Sequence, residues 1–220
     1  MNLNLLKIRF TGQIQPWEVP ALRGAVGRKV GAEGVLFHHH AGDRLLYQYP
    51  LIQYGQRRGQ PQIVCLGEGV EAIHQYFQQP DWSVDLGQHH LEMKVDEMDL
   101  QAVSLGFCDP PQRYRLLHWV ALNQKNYAAF QRLAGLVERT EFLERKLVGN
   151  ILSFAKGVGW RIEGRIDLRI LDWEQQAPIK IKGTPFDNFH VKMQCNLHLP
   201  TDIGLGGKVS LGMGRVLPDP

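Results

Sequence analysis

Cysteine is scarce in this chain, which has Cys65, Cys108 and Cys195. They stand far apart and form no Cys-x-x-Cys pair, which argues against a disulfide framework or a zinc ribbon. Small buried side chains in a reducing cytoplasm are the expected reading. Long apolar runs are lacking too, so no stretch is suited to cross a membrane. Lys7 and Arg9 interrupt the apolar N-terminus and no small-residue cleavage site follows, so it does not read as a secretory signal. A strong excess of one charge is also missing: 25 Lys and Arg face 22 Asp and Glu, for a net charge of +3. A balance this mild permits a nucleic-acid partner without demanding one.

What is present is enough for a core. Apolar residues make up 44% of the 220 and charged residues 21%, ordinary values for a globular protein. The length suits one large domain or two of roughly 100 residues each. Residues 3–10 are short and strand-like. In residues 16–30, Val19, Leu22, Val26 and Val30 recur at helical spacing behind Pro16 and Pro20. Strands are expected at 44–49 and 62–66, with Arg57 and Arg58 in the turn between them. A helix is expected over 70–79, then strands at 82–86 and 89–95 joined at Gly87. This β-α-β-β-α-β order is that of a ferredoxin-like fold.

The second half repeats the order loosely. Residues 103–107 and 114–122 read as strands separated by Pro110-Pro111. Asn123 can cap a helix carrying Tyr127, Phe130, Leu133 and Leu136. Thr140 can start another with Leu143, Leu147, Ile151 and Phe154 on its apolar stripe, and Glu141 and Glu144 near its start suit the helix dipole. Strands follow at 165–171, 179–182 and 189–199. The fold class is therefore α+β, with two ferredoxin-like halves in tandem, residues 1–98 and 99–220, divided within 96–102 and ending in a glycine-rich loop.

The strand over 189–199 alternates cleanly. Phe189, Val191, Met193, Cys195, Leu197 and Leu199 point one way, and His190, Lys192, Gln194, Asn196 and His198 the other. The polar set has two imidazoles, an ammonium and two amides, with no carboxylate. It is either a solvated sheet face or a surface that meets phosphates and base edges.

The glycine loop follows at once. Gly204, Gly206, Gly207, Gly212 and Gly214 fall within eleven residues, with Lys208, Ser210 and Arg215 among them. Glycines let consecutive amides turn toward an anion, and the three polar residues add charge and a hydroxyl. A tight hairpin is the plainer alternative. The loop is not a Walker motif, because Val209 follows Lys208 and Asp202 stands where the first glycine should be. Gly67-Glu68-Gly69-Val70-Glu71-Ala72 has dinucleotide-loop spacing, but no repeated βαβ pattern surrounds it and Glu68 would repel a pyrophosphate.

Histidine is the richest chemical resource, with nine in the chain. His38, His39 and His40 are adjacent, so they cannot all point one way and do not make a three-ligand metal site. Near neutral pH a histidine can act as base or acid when an RNA 2′-hydroxyl attacks its own phosphodiester. Lys29 or Lys208 could then stabilise the phosphorane. His38, His39, His40 and Lys29 are the catalytic candidates. Gly204, Gly206, Gly207, Lys208, Ser210, Gly212, Gly214, Arg215, Lys192, Arg57 and Arg58 are the RNA-binding candidates. His89-His90 reads as a solvated turn, and His74 and His118 as structural. Tyr47-Gln48-Tyr49-Pro50 offers a hydroxyl, a stacking face or plain packing.

Several segments together resemble the CRISPR-associated repeat-RNA endoribonucleases of the RAMP superfamily. They are Leu22-Arg23-Gly24, Phe37 with His38 to His40, Tyr47 through Tyr54, and Gly67-Glu68-Gly69. Further on come Asn123 through Tyr127, Leu147 through Leu152, and Leu199 through Gly206 continuing to Gly212-Met213-Gly214. The likeness spans nearly the whole chain and is most specific in the glycine loop and the Tyr-Pro-Leu-Ile-Gln-Tyr run. It implies two ferredoxin-like halves, RNA contact by the glycine loop, and metal-independent cleavage to a 2′,3′-cyclic phosphate. It also implies a catalytic histidine near the first helix, where His38, His39 and His40 stand. Family loops often carry an aromatic residue where this chain has Met213, which removes one stacking contact. CRISPR repeat RNA is the expected partner, with other CRISPR-associated proteins as further candidates. The expected protein is a cytoplasmic monomer or homodimer that needs no cofactor. A non-catalytic RNA-binding subunit of the same superfamily is the alternative.

Overall fold

Strand β1 (Asn2–Phe10) buries Leu3, Leu5, Leu6, Ile8 and Phe10 and leaves the residues between them more open, the half-buried pattern of a sheet with one covered face. The computed structural model describes residues 1–31, 35–38, 40–41, 44–45, 48–87, 89–181 and 183–219. The chain continues through α1 (Val19–Val30), α2 (Val35–His38), β2 (His40–Ala41), β3 (Arg44–Leu45), β4 (Ile52–Arg57) and β5 (Gln60–Leu66). Two short helices, α3 (Glu68–Ala72) and α4 (His74–Phe77), precede the small strands β6 (Val84–Asp85) and β7 (His90–Leu91) and then β8 (Val95–Ser104). The second half holds β9 (Gly106–Trp119), α5 (Gln124–Gln131), α6 (Leu136–Gly157), β10 (Leu168–Ile181), β11 (Thr184–His198) and β12 (Arg215–Pro218).

The chain divides into two compact units. One comprises Asn2–Val103 with Ser210–Gly212, and the other Met1, Ser104–Val209 and Met213–Pro220. In the N-terminal unit the sheet order is β4-β5-β1-β8, with β5 antiparallel to both neighbours. In the C-terminal unit the order is β10-β11-β9-β12, with β11 antiparallel to both neighbours. Numbered by their place in each half, both orders are 2-3-1-4. Both halves are thus ferredoxin-like, as the element order implies. In the second half the glycine-rich segment takes the place of the second helix.

The core of the N-terminal unit gathers Ile8 and Phe10 from β1, Leu22 and Val26 from α1, Tyr54 from β4, Ile63 and Cys65 from β5 and Tyr76 from α4. Phe37, from α2, is 1% exposed in the same cluster. In the C-terminal unit α6 buries Leu143, Leu147, Ile151 and Phe154, the stripe expected from their spacing. The buried face of β11 is Phe189, Val191, Met193, Cys195 and Leu197, and burial pushes the Cys195 thiol up to about 11. Trp119 Nε1 donates to Asn150 Oδ1 at 3.0 Å, tying β9 to α6. Asn123 caps α5 as expected, its Oδ1 accepting from the Asn126 amide at 3.0 Å.

Several elements depart from the sequence expectation. Of the described residues in the strand expected at 44–49, only Arg44 and Leu45 form one, and the strand that joins the four-stranded sheet is β4. The strands expected at 82–86 and 89–95 form a two-residue ladder, and β8 closes the sheet instead. Pro110 and Pro111 do not end a strand. Cys195 pairs with Gln112 and Leu197 with Phe107, so the prolines fall in a bulge of β9 where no ladder donor is needed. The long helix begins at Leu136, not Thr140, with Glu138 as its first-turn acid. Tyr127 and Leu136 lie exposed rather than on a buried stripe.

The Gly67 turn also lacks the setting of a dinucleotide loop. It follows a strand of an antiparallel sheet and opens a helix of five residues. A Cβ on Gly69 would stand 2.5 Å from the Leu51 carbonyl oxygen, so close backbone packing accounts for this glycine. Among the described residues, no helix is long and apolar enough to cross a membrane.

Candidate nucleic-acid interface

The glycine segment is held from both ends by its own unit. Gly204 bridges Arg215 and Gly207 bridges Val120. Leu205 N donates to Gly214 O at 2.9 Å, Gly207 N to Val120 O at 2.9 Å and Gly214 N to His118 O at 3.0 Å. These three amides are spent on protein carbonyls, so an anion would have to be met elsewhere on the segment. Gly214 has φ +69, and a Cβ there would overlap the Leu205 carbonyl oxygen. Close packing of chain on chain therefore accounts for part of the glycine density that sequence alone assigns to anion binding.

Around these glycines, the charged residues differ in how free they are. Arg215 donates from Nε to Asp202 Oδ1 at 2.9 Å and from Nη2 to the same oxygen. That pair balances its charge and braces the segment. Lys208 is exposed, at φ +59, with Nζ 4.6 Å from the centre of the Phe186 ring. Gly206 packs against Trp119. Lys192 lies on the open face of β11, opposite Arg115 on one side and Asp172 on the other. Gln194, on the same face, stands opposite Arg113 and Arg169. Neighbouring strands thus add arginines to this face, and also carboxylates that the polar set His190 to His198 lacks: Asp172 and Glu174 here, with Asp219 3.2 Å from Arg115.

Residues Ser210–Gly212 pack with the N-terminal unit. Ser210 is buried, and its Oγ accepts from Arg23 Nη1 at 2.9 Å. Burial pulls the Arg23 pKa below its ordinary value, against the opposing influence of the Tyr54 phenol. Gly212 has φ +80, and a Cβ there would meet the Tyr54 carbonyl oxygen at 3.0 Å. Arg23 was visible in the sequence as a polar residue of the first helix. Its link to Ser210, 187 residues away, was not.

Lys29 Nζ, in the last turn of α1, donates to Asp81 Oδ2 at 2.9 Å. Hydrogen bonds from Ser83, then from Lys29, hold the Asp81 carboxyl well below the usual carboxylate range. Arg57 ends β4 and Arg58 follows at φ +54, both exposed. His38 closes α2 and His40 opens β2. His39 lies outside the described residues, as do the side chains of His38 and His40. The residue before them, Phe37, is anchored in the core.

His118 and His190 form an imidazole pair. Their ring centres lie 4.7 Å apart at 72°, His118 Nδ1 is 3.1 Å from Asn188 Oδ1, and His118 has φ +52. His190 Nε2 is buried with no hydrogen-bond partner among the described residues. Burial, then the neighbouring His118, lower the His190 pKa against the pull of Glu174. The strand alternation put His190 on the polar face; nothing in sequence put His118 beside it. His89 and His90 pair with Glu18 and Asp85 in the small turn.

Comparison with known proteins gives these observations a family. Residues 1–104 match the model of the Cas6b N-terminal domain and residues 106–218 that of the Cas6b C-terminal domain. A solved structure described as Cas6b is 25% identical, covers 100% of both chains and superposes with a TM-score of 0.90. Another, described as the CRISPR RNA processing endoribonuclease Cas6b, is also 25% identical over 100% of both chains, with a TM-score of 0.75. Uncharacterized protein MJ0978 of Methanocaldococcus jannaschii is 37% identical over 99 residues, which is 45% of this chain and 66% of the relative's length. With both halves matched in order and the tandem ferredoxin-like fold in place, the chain belongs to the Cas6b family.

Proposed function

We propose that this chain is a metal-independent endoribonuclease that cleaves CRISPR repeat RNA. The observation that carries the reading is the match of both halves to the Cas6b domains. One relative of the same fold and length is described as a CRISPR RNA processing endoribonuclease. In the proposed reaction, the RNA 2′-hydroxyl attacks the adjacent phosphorus and the 5′-oxygen leaves, giving a 2′,3′-cyclic phosphate. One of His38, His39 and His40 takes the proton from the hydroxyl or delivers one to the leaving oxygen. A lysine ammonium stabilises the phosphorane. Lys29 is held by Asp81 in a pair open to solvent. Its Nζ donates to both the backbone carbonyl and the carboxylate of Asp81, and an RNA phosphate would take the ammonium over from them.

Each unit offers cationic residues of its own. Lys208, Lys192, Arg57 and Arg58 offer exposed charge, and Ser210, Arg23 and Arg215 brace the glycine segment through Gly204, Gly206, Gly207, Gly212 and Gly214. If these cations meet phosphates, affinity falls steeply with salt. Four such contacts to single-stranded RNA would give a log–log slope of about −2.8, from roughly −0.7 per contact.

The test is cleavage of repeat RNA in excess EDTA, with binding measured across a salt series. Undiminished cleavage and a steep slope are expected. Cleavage abolished by EDTA and restored by a divalent ion overturns the metal-independent chemistry. Tight, salt-sensitive binding with no cleavage under any condition makes the chain a binding subunit instead.

A further inference from the structure

We propose that a cavity beside Phe186 receives one unpaired nucleobase of the repeat RNA, an inference that rests on the RNA-processing reading above. The cavity lies wholly in the C-terminal unit. It holds about 500 Å³ and is lined by Asn123, Tyr127, Pro178, Pro185, Phe186 and Asp187, among others. Leu122 and the two prolines leave its wall largely apolar. A pocket of this size accommodates a flat ring with its sugar. Phe186 and Tyr127 offer aromatic faces, and Tyr127 is 43% exposed on α5, where no core packing explains a tyrosine.

The polar groups are few and fixed. Asn123 Oδ1 is committed to capping α5, which leaves the two Nδ2 donors unused by the cap. Asp187 Oδ1 accepts from Gln175 Nε2 at 3.1 Å. A carboxylate has acceptor sites to spare after one such bond, so Asp187 can accept from the N–H groups on a base edge. Lys208 supplies the remaining element. Its Nζ, 4.6 Å from the centre of the Phe186 ring, puts a cation next to the ring on which the base would stack. A ligand that suits all three features has a flat ring, a hydrogen-bonding edge and an anionic tether close by. A nucleotide within an RNA strand has that combination. An aromatic side chain of a protein partner has the ring but no anionic tether to meet Lys208.

The experiment uses the full chain and repeat RNA carrying 2′-deoxy at the cut position, so that binding is read without turnover. Each unpaired nucleotide is replaced in turn by an abasic residue. One position is expected to weaken binding about tenfold to fiftyfold, within the range for loss of one stacked base. Tyr127→Ala and Phe186→Ala are each expected to lose a similar factor on intact RNA. Neither variant should lose further on the RNA abasic at that position. Tyr127 is exposed, so its variant keeps the fold even if Phe186→Ala perturbs the β11 turn. The inference is overturned if both variants bind intact RNA within twofold of the parent, or if their losses multiply with every abasic position. Silent variants in a protein that still cleaves repeat RNA overturn this inference alone. A parent protein that binds repeat RNA no better than a scrambled RNA overturns the RNA-processing reading and this inference together.

Discussion

Replacing His38, His39 and His40 together by alanine is expected to lower the single-turnover rate of repeat-RNA cleavage about a thousandfold, the middle of the range for one proton-transfer group. Affinity for the uncleavable RNA should stay within about threefold, because none of the three belongs to the glycine segment or to the exposed cations assigned to binding. Phe37, the residue before His38, is 1% exposed in the N-terminal core. Catalytic groups need a fixed frame, since small misplacements cost rate. Single substitutions then separate roles. A base and an acid drawn from the triplet would each show a large loss, and a spectator would show none. A loss below about tenfold in the triple variant would remove the triplet from the mechanism and turn attention to other histidines. The His118 and His190 pair would come first, because its geometry is otherwise unexplained.

Gly214→Ala is expected to destabilise the chain by about 3 kcal/mol, against about 1 kcal/mol for Gly183→Ala. Both glycines lie at positive φ, +69 and +80. Both substitutions therefore carry the left-handed cost of a side chain, about 1–2 kcal/mol. They differ in space. A Cβ on Gly183 meets nothing within 4 Å, whereas one on Gly214 overlaps the Leu205 carbonyl oxygen. Relief requires the segment to move, which strains the bonds from Leu205 N to Gly214 O and from Gly214 N to His118 O. Losing those bonds adds about 1 kcal/mol each. The urea midpoints of the two variants decide the matter. Equal shifts would mean that φ alone matters and that the segment yields freely. A larger shift for Gly214, together with weaker RNA binding, would show that packing keeps the segment in its binding shape.

Much of the fold was legible in sequence because burial leaves a period. The alternation from Phe189 to Leu199 and the stripe of Leu143, Leu147, Ile151 and Phe154 each face a core, and both elements formed. Where the period was weak, tertiary pairing decided. β4 contains Gln53, Gly55 and Gln56, which do not favour strands, yet it pairs with β5 along its length. Leu46, Tyr47 and Tyr49 upstream are more strand-like by apolar and aromatic character alone. β8 carries Asp96, Glu97 and Asp99 and stands at the sheet edge, so exposure hid its alternation. Pro110 and Pro111 read as a break because a bulge that spares the ladder is not visible from residue type.

The candidate interface was legible in outline and opaque in detail. Five glycines with Lys208 and Arg215 marked the segment. The commitment of its amides to Val120 and His118, of Arg215 to Asp202 and of Arg23 to Ser210 depends on contacts between distant stretches of chain. The aromatic cavity was invisible for the same reason. It joins the start of α5 to the turn of the β10–β11 hairpin, some 60 residues apart in sequence. The proposed catalytic role of His38, His39 and His40 rests on residue chemistry and family likeness, and the kinetics of their variants test it.

The central claim is cleavage by the RNA's own 2′-hydroxyl, and one comparison tests it most directly. Repeat RNA and the same RNA with a single 2′-deoxy nucleotide before the cut are incubated with the chain in EDTA, and the product ends are identified by mass. The account predicts cleavage of the all-ribose RNA to a 2′,3′-cyclic phosphate and a 5′-hydroxyl, with none of the 2′-deoxy RNA. Cleavage of the 2′-deoxy RNA at the same position, or a product bearing a 5′-phosphate, would contradict it.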